Sequence, residues 1–350
     1  MHISDYGYTA PSDYSPCLPA RVVGEHRGRY QIVCDAGAGF ATLRGGAYYY
    51  GGETFPTVGD FVLLAWQQAG DSAIMRTLPR RSCFARRDPT PGRVAQAVAA
   101  NFDTVLVAQS LNQDFNLSRL ERTLALALQS GGAPVILLTK ADLCADAQPY
   151  LAAVRQRFPD VPALAVSAAT GAGMAGLAPY LAPGRTLVIL GSSGVGKSSL
   201  INALLGQDAQ ATAAIRAQDG KGRHTTTARQ LLMLPGGAMI IDTPGMRELG
   251  MWDVSEGLGE AFADVEAFLG HCRFSDCRHE NEPGCAIRAA IERGELSLSR
   301  WESYRALRSE AKYADDPASY LRRKQEWHKN IAKTNRQRKN DRRRGIEYEE

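Results

Sequence analysis

The chain has 350 residues, of which 44% are hydrophobic and 22% charged, with a formal net charge of +4. This composition excludes a disordered, collagenous or coiled-coil chain, and the length is that of two or three globular domains. The seven cysteines are an odd number and four are scattered singly, which argues against a secreted disulfide framework.

Residues 1–19 are predicted to be an N-terminal extension. They lack the basic start and the apolar stretch of a secretory signal. No apolar run in the chain reaches the ~18 residues of a membrane span. We therefore expect a cytoplasmic protein that does not contact membranes.

Residues 20–80 contain short strand-like runs separated by Gly-rich turns. The runs are ARVV, RYQIVC, FATLRG with AYYY, DFVLLAW and SAIMRTL. Five strands in about 60 residues predict an oligonucleotide/oligosaccharide-binding (OB) β-barrel, whose strand face and loops commonly hold nucleic acid. A barrel that only packs is the alternative. Residues 79–93, PRRSCFARRDPTPGR, are interpreted as a basic, proline-broken linker.

Apolar strands alternate with helices over residues 93–248. DTVLVAQS, PVILLTKAD, ALAVSA and TLVILG are nearly continuous Val/Ile/Leu runs, and helical segments separate them. This pattern predicts an α/β domain in which helices cover both faces of a parallel sheet. Ligands of such sheets bind at the carboxyl ends of the strands, where the polar motifs of this region lie.

The tetrapeptide TKAD follows one of these strands and indicates which nucleotide base the domain binds. The Asp142 carboxylate can accept two parallel hydrogen bonds from N1–H and N2–H₂ of guanine, whereas adenine has no such donor pair. The stem of Lys140 can lie over the base. Ser167 and Ala168 end a later strand, where a backbone contact to guanine O6 is expected. On its own, a tetrapeptide such as TKAD (Thr139–Asp142) is usually a surface turn.

The motif GSSGVGKS lies between the strand TLVIL and the helix SLINALLG. Its glycines allow successive backbone N–H groups to converge on phosphate oxygens, Lys197 can reach the terminal phosphates, and the Ser198 hydroxyl can bind Mg²⁺. The motif predicts a phosphate-binding loop. The expected nucleotide-binding residues here are Gly191, Ser192, Ser193, Gly194, Val195, Gly196, Lys197, Ser198 and Ser199.

A switch loop is expected at GKGRHTTT, residues 220–227. A threonine hydroxyl in this loop would complete the coordination of Mg²⁺ when the γ-phosphate is present. We predict that Thr226 has this role, and Thr225 and Thr227 remain open.

The strand AMIID ends in the motif DTPG. Asp242 suits an outer-sphere or water-mediated contact to Mg²⁺, and the N–H group of Gly245 can reach a γ-phosphate. By itself DTPG would be a plain turn, but next to a phosphate loop it indicates a nucleotide switch.

The region 249–320 is predicted to be helical and contains a Cys/His cluster. Cys272, Cys277, His279 and Cys285 offer three sulfurs and one imidazole within fourteen residues. This donor set suits one tetrahedral, structural Zn²⁺ ion. Buried free thiols are the alternative.

Residues 321–350 form a tail that is strongly basic up to residue 344. Eleven Lys and Arg residues stand against Glu326 and Asp341 between residues 321 and 344. Such a segment attracts phosphate backbones and predicts RNA binding. A solvated tail that keeps the protein soluble is the alternative.

The order of the motifs is unusual, since TKAD and Ser167-Ala168 precede the phosphate loop and in ordinary GTPases they follow it. This order indicates a circularly permuted domain. The barrel, the permuted domain and the Cys/His cluster, in this order, resemble the ribosome small-subunit-dependent GTPase A family over about residues 20–330. The resemblance implies three parts: an OB barrel, a circularly permuted α/β P-loop GTPase domain, and a mostly α zinc-binding domain.

The resemblance also implies a function. Family members hydrolyse GTP to GDP and phosphate, bind the small (30S) ribosomal subunit and 16S rRNA, and act late in its assembly; we expect a monomer. The hydrophobic residue that the family has after DTPG corresponds to Met246, and the catalytic histidine of the switch loop to His224. A neutral imidazole can orient the attacking water, with Lys197 and Thr226 as further catalytic residues. Thr139 replaces the usual asparagine, and its hydroxyl has less reach.

Two other functions fit parts of the pattern. A kinase could use the same phosphate loop, although the chain has no second substrate motif and TKAD favours guanine. A zinc-containing RNA-binding protein could sense guanine nucleotides without significant turnover. Phosphate release without a phosphorylated product would exclude the first, and multiple turnover of GTP in the presence of small subunits would exclude the second.

Overall fold

The computed structural model describes residues 2–9, 14–26, 28–49, 53–86, 96–112, 115–206, 229–242, 258–259 and 261–315. The chain divides into two compact units, residues 1–250 and residues 251–350. The first unit contains a β-barrel and a parallel sheet, and the described part of the second is mostly helical. Among the described helices, none has both the length and the apolar character needed to cross a membrane.

Five strands form a closed barrel in the first unit. They are β1 (Leu18–His26), β2 (Arg29–Cys34), β3 (Gly37–Leu43), β4 (Phe61–Ala65) and β5 (Ser72–Thr77). Their order is β1–β2–β3–β5–β4, and β4 pairs back to β1. Val22, Ile32, Leu64 and Ile74 are fully buried in its apolar core. The closed five-stranded arrangement confirms the predicted barrel.

We expected the AYYY run to belong to a strand, but its first three residues, 47–49, are helical. Helix α1 (Gly45–Tyr49) lies between β3 and β4. Tyr48 is 3% exposed and belongs to the barrel core, and its hydroxyl lies 3.1 Å from Thr77 Oγ1. These tertiary contacts override the strand preference of consecutive tyrosines.

Part of the predicted linker is also ordered structure. Two strands pair as a separate antiparallel ribbon, β6 (Cys83–Arg86) and β7 (Gln96–Ala100). Phe84 is 1% exposed and stacks on Phe102, with ring centroids 4.7 Å apart. Burial of this one ring stabilises the strand. The basic composition of residues 79–93 gave no sign of it.

Six of the described strands form the central sheet. They are β8 (Thr104–Ser110), β9 (Ala133–Thr139), β10 (Ala163–Ala165), β11 (Thr186–Leu190), β12 (Gln230–Met233) and β13 (Met239–Asp242). Their order is β10–β9–β8–β11–β13–β12, in which the first five are parallel and β12 is antiparallel. Gln230 of β12 also pairs with Gly24 of β1, so the sheet continues into the barrel.

Helices cover both faces of this sheet, as predicted. They are α2 (Leu117–Gln129), α3 (Gln148–Arg157) and α4 (Lys197–Leu204). The first unit also has 3-10 turns at Ile3–Tyr6, Ala141–Leu143 and Met174–Tyr180. Every residue of β8 and β11 is buried, as expected for strands covered on both faces. Leu120 and Leu124 of α2 pack on one face, and Leu200 of α4 packs on the other.

A buried arginine joins the barrel to the central sheet. The Arg21 side chain of β1 is fully buried and donates hydrogen bonds to three backbone carbonyls, those of Tyr6, Gly59 (3.2 Å) and Asn101 (2.8 Å). Burial lowers the pKa of Arg21 to about 9, against the opposing effect of Asp103, so the guanidinium is charged at pH 7. One planar group thus satisfies acceptors from three chain segments.

The second unit contains three helices among its described residues, α5 (Ala263–Glu266), α6 (Ala286–Glu292) and α7 (Leu298–Asp315). The first, α5, is preceded by helical residues at positions 258, 259 and 261. Phe262 precedes it with φ −125° and ψ 33°, and its ring lies 4.0 Å from the Arg300 guanidinium. Leu258, Phe262 and Val265 are buried and form part of the core of this unit.

We predict that Arg21→Met will destabilise the first unit. The substitution keeps an apolar side chain of similar length but leaves the Tyr6 and Asn101 carbonyl oxygens without this donor, while the Gly59 carbonyl still accepts from Asn101 Nδ2 at 3.3 Å. At about 1 kcal/mol or more for each unpaired carbonyl, the free energy of unfolding should fall by about 2 kcal/mol or more, measured by urea denaturation.

Arg29→Met is the matched control. Arg29 forms an exposed ion pair with Asp71 at 2.6 Å, and the loss of such a solvent-screened pair has little effect on stability. If both variants unfolded at the same urea concentration, the hydrogen bonds of Arg21 would not stabilise the contact between the barrel and the central sheet.

Candidate nucleotide and metal sites

The predicted nucleotide motifs meet at one edge of the central sheet. β9 ends at Thr139, which pairs with Ser110 at the end of β8, and β11 ends at Leu190, which pairs with Val107. β13, which ends at Asp242, runs parallel to β11. Because all four strands are parallel, their carboxyl ends share one edge, where ligands of such sheets bind.

The phosphate loop runs from the end of β11 to the start of α4 at Lys197. A Cβ atom on Gly191 would lie 2.6 Å from the Ala108 carbonyl oxygen, so β8 leaves no room for a side chain there. Gly196 precedes α4 with φ 100°, which L-residues rarely adopt. These two glycines explain the compact turn that leads backbone N–H groups to the helix N-terminus, an anion-binding arrangement.

Lys197 is held against this loop. Its Nζ donates hydrogen bonds to the carbonyl oxygens of Gly191 at 2.6 Å and Ser192 at 2.8 Å. The side chain therefore folds back along the loop, and its positive charge lies beside the backbone that would enclose the phosphates.

The base motif is a braced pair of loops. The buried Ser167 hydroxyl donates to Asp142 Oδ1 at 2.5 Å, and the Ala141 N–H donates to the Val166 carbonyl at 3.1 Å. Lys140 has φ 58°, a left-handed conformation that is uncommon for a non-glycine residue. Strain of this kind persists where neighbouring structure enforces it, and such positions cluster at functional sites.

Thr139 connects the base motif to the phosphate loop. Its Oγ1 donates a hydrogen bond of 2.6 Å to the carbonyl oxygen of Val195, and the Gln109 carbonyl is farther away at 3.4 Å. Thr139 is 5% exposed, so this bond is shielded from water. The sequence left open whether a hydroxyl could brace these two loops. The geometry shows that it does, because β8 and β11 bring the loop within reach.

Several predicted site residues lie outside the described residues. These are the switch-loop candidates His224, Thr225, Thr226 and Thr227, together with Gly245 and Met246, which belong to or follow DTPG. Asp242 ends β13 and is described. The predicted roles of these residues stay predictions.

The four predicted metal ligands come together in the second unit. The ligand atoms of Cys272, Cys277, His279 and Cys285 all lie within 4.8 Å of one another. His279 Nδ1 is 3.4 Å from the sulfurs of both Cys272 and Cys285. Three sulfurs and one imidazole in this arrangement can hold one metal ion, and they fit a closed tetrahedral site.

The environment of His279 favours metal binding. Burial lowers the pKa of the imidazole, and Arg308 and Arg305 lower it further, although Glu282 acts in the opposite direction. The neutral imidazole that binds a metal is therefore favoured. Trp301 of α7 packs edge-on against the ring at 5.3 Å, a support that the sequence pattern did not reveal.

A cavity of about 800 Å³ lies beside the metal cluster in the second unit. Arg278, Arg305 and Arg308 line it, together with Tyr304 and Glu266. Arg278 stands between two ligands, Cys277 and His279, so the fold of the metal loop sets its position. Three arginines against one glutamate make this cavity electropositive.

Comparison with known proteins decides the family. A family model described as RsgA GTPase matches residues 77–252. The chain belongs to the RsgA GTPase family. The "Small ribosomal subunit biogenesis GTPase RsgA 2" of Lactiplantibacillus plantarum is 46% identical over 295 residues, covering 84% of this chain and 83% of that protein. This membership confirms the resemblance inferred from the motifs.

Solved structures share the fold of this chain. The chain resembles the crystal structure of YjeQ from Thermotoga maritima, with a TM-score of 0.61 and 27% identity over 84% of this chain and 98% of that one. A structure titled as YloQ, a circularly permuted GTPase, has a TM-score of 0.58 and 23% identity, covering 87% of this chain and 98% of that one, which shows the fold. The predicted multidomain, circularly permuted fold of this RsgA GTPase family member is thereby confirmed.

We predict that Asp142→Asn will change the base preference of the site from guanine towards xanthine. The asparagine carbonyl oxygen can still accept from N1–H, but its NH₂ group faces the N2–H₂ donor of guanine, whereas xanthine offers a carbonyl at C2. Loss of one charge-assisted hydrogen bond, and of the negative charge that strengthens the other, should weaken GDP binding by about 100-fold and permit xanthosine diphosphate to bind, measured by isothermal titration calorimetry.

The control is Asp146→Asn, four residues along the chain, where the carboxylate accepts from the Gln148 N–H at 2.9 Å. It should leave both affinities unchanged. Unchanged GDP affinity in Asp142→Asn would show that this carboxylate does not read the base.

Proposed function

We propose that this chain is a cytoplasmic GTP hydrolase that acts late in assembly of the small (30S) ribosomal subunit and leaves it when GTP is hydrolysed. The observation that carries this proposal is the Thr139–Val195 hydrogen bond, which joins a guanine-reading motif to a phosphate loop. The name of the Lactiplantibacillus plantarum relative supports the ribosomal role.

Each part of the nucleotide has a chemical partner in this site. The N–H groups of the loop from Gly191 to Ser199 and the Lys197 ammonium bind the phosphates. Asp142, oriented by Ser167, accepts from the guanine N1 and N2 groups, and the backbone N–H of Ala168 donates to O6. Lys140 covers a face of the base.

The site also suits a magnesium ion bound together with GTP. Ser198 lies in the first turn of α4, beside Lys197, and is exposed. It would hold the ion together with Thr226, and Asp242 would contact it through water. When bound, the ion neutralises charge that develops between the β- and γ-phosphates.

Hydrolysis requires a group that orients water. Met246 cannot do so because a thioether sulfur is only a weak acceptor. We assign this role to the neutral imidazole of His224 in the switch loop. Hydrolysis stays slow until binding of the 30S subunit brings His224 into place, which couples GTP hydrolysis to release of the subunit.

RNA binding is assigned to three regions. The barrel supplies an OB-type surface, the tail 321–350 supplies the largest excess of positive charge, and the cavity with Arg278, Arg305 and Arg308 adds a further basic surface. These cations would bind the phosphate backbone of 16S rRNA. The protein would bind as a monomer.

The metal held by the Cys/His cluster is proposed to be one structural Zn²⁺ ion. All four ligands come from the protein, which describes a closed site that contributes to folding and not to catalysis. Its binding orders the loop 272–285, where Arg278 lies.

A comparison of GTP and ATP hydrolysis, with and without purified 30S subunits, tests the function. We expect phosphate release from GTP only, stimulated by 30S subunits over many turnovers. His224→Ala should reduce the stimulated rate about 100-fold with little change in GDP affinity, within the range for removal of a general acid–base group.

His271→Ala is the matched control, since His271 lies beside the metal cluster and not in it. Binding of GTP without turnover in the presence of 30S subunits would instead support the nucleotide-sensing RNA-binding protein. Equal use of ATP and GTP would exclude the proposed base recognition.

Elemental analysis tests the metal assignment. We expect one zinc per purified chain and nearly none in Cys285→Ser, whose second unit should lose helical circular dichroism because metal binding and folding are coupled. Cys144→Ser, outside the cluster, should keep its zinc. Purified wild-type protein without zinc would contradict the assignment.

The double variant Arg305→Gln/Arg308→Gln tests RNA binding at the cavity. The slope of log affinity for a 16S rRNA fragment against log salt concentration should decrease by about 1–2, because up to two phosphate contacts are lost. Arg293→Gln, whose exposed side chain pairs with Glu295 at 2.8 Å, is the control. An unchanged slope in the double variant would remove the cavity from the RNA-binding surface.

A further inference from the structure

The side chain of Thr139 has only one hydrogen to donate, that of its hydroxyl, and the structure shows which atom accepts it. Its hydroxyl lies 2.6 Å from the Val195 carbonyl oxygen and 3.4 Å from the Gln109 carbonyl oxygen. The shorter contact has normal hydrogen-bond length and the longer one is marginal, so the hydrogen belongs to the phosphate loop. Both acceptors are carbonyls, and neither leaves this hydrogen for a nucleotide.

The position of Thr139 determines which part of the base it faces. Asp142 takes the edge of guanine that carries N1 and N2, and the loop around Val195 takes the phosphates. The imidazole ring of the base carries the bond to the ribose and therefore lies on the phosphate side. Thr139 stands between these two anchors, three residues before Asp142 and bonded to Val195.

The imidazole ring presents N7, which is a hydrogen-bond acceptor and needs a donor. Thr139 cannot supply one while its hydrogen is on Val195. Ser110, its partner across the β8–β9 pair, lies 3.0 Å from Asn112 Oδ1, so its hydroxyl hydrogen is also used. An asparagine at position 139 would differ, because its amide carries two hydrogens and could serve Val195 and N7 together.

We propose that Thr139 makes the nucleotide site indifferent to N7: guanine is read at N1, N2 and O6, and Thr139 acts only as a positioning residue for the phosphate loop. This inference rests on the proposed function of the site. It predicts that a guanine nucleotide without N7 binds as well as the natural one. It also predicts that sensitivity to N7 can be introduced by one substitution.

The test compares GDP with 7-deazaguanosine diphosphate, in which a C–H group replaces N7, by calorimetry on the full chain. For the wild type, the two dissociation constants should agree within about 2-fold, since no hydrogen bond is lost. In Thr139→Asn, GDP should bind about 5-fold more tightly than the 7-deaza analogue, the effect of one hydrogen bond.

Thr139→Val is the matched control, because valine has the shape of threonine without the hydroxyl. It removes the bond to Val195 and should weaken both nucleotides by the same factor, leaving their ratio near one. Thermal melting of each variant shows whether it is folded, and the wild-type comparison of the two nucleotides needs no variant.

A wild-type preference of 10-fold or more for GDP over the 7-deaza analogue would overturn the inference, since another donor would then read N7. A Thr139→Asn variant that binds GDP with an unchanged ratio would overturn it as well. Failure of the wild type to bind GDP at all would instead refute the proposed nucleotide site, so the two failures can be distinguished.

Discussion

Thr139 donates its hydroxyl hydrogen to the Val195 carbonyl, and this bond holds together two loops that lie 56 residues apart in the sequence. The bond exists because β9, β8 and β11 are parallel neighbours whose carboxyl ends come level. With the two loops fixed, one nucleotide can have its base at Asp142 and its phosphates at Lys197. The register of the parallel strands therefore places the two loops next to each other, and side-chain hydrogen bonds such as that of Thr139 fix their positions.

The barrel is attached to this sheet by backbone and side-chain contacts of different kinds. Gln230 of β12 pairs with Gly24 of β1, and the Arg21 guanidinium satisfies three carbonyls at the junction. β12 is the first described strand after the segment that contains the predicted switch loop. The barrel strand β1 is thus hydrogen-bonded to the strand that follows this segment.

Local chemistry made much of the molecule predictable. The phosphate loop needs its glycines and Lys197 within eight residues, and the metal site needs its four ligands within fourteen, so both are visible in the sequence. Contacts between distant segments were not visible. Burial of Tyr48 in the barrel outweighed the strand preference of the AYYY run. Packing of Phe84 on Phe102 stabilises a strand in a segment that was predicted to be a linker. The contact between Trp301 and His279 depends on the tertiary fold.

A crystal structure with a non-hydrolysable GTP analogue and Mg²⁺ tests the account most directly. We predict that a single nucleotide has its guanine N1 and N2 within about 3.2 Å of the Asp142 carboxylate and its terminal phosphate within hydrogen-bond distance of Lys197 Nζ. A nucleotide held at the phosphate loop with its base away from Asp142 would contradict the claim that these two loops form one site.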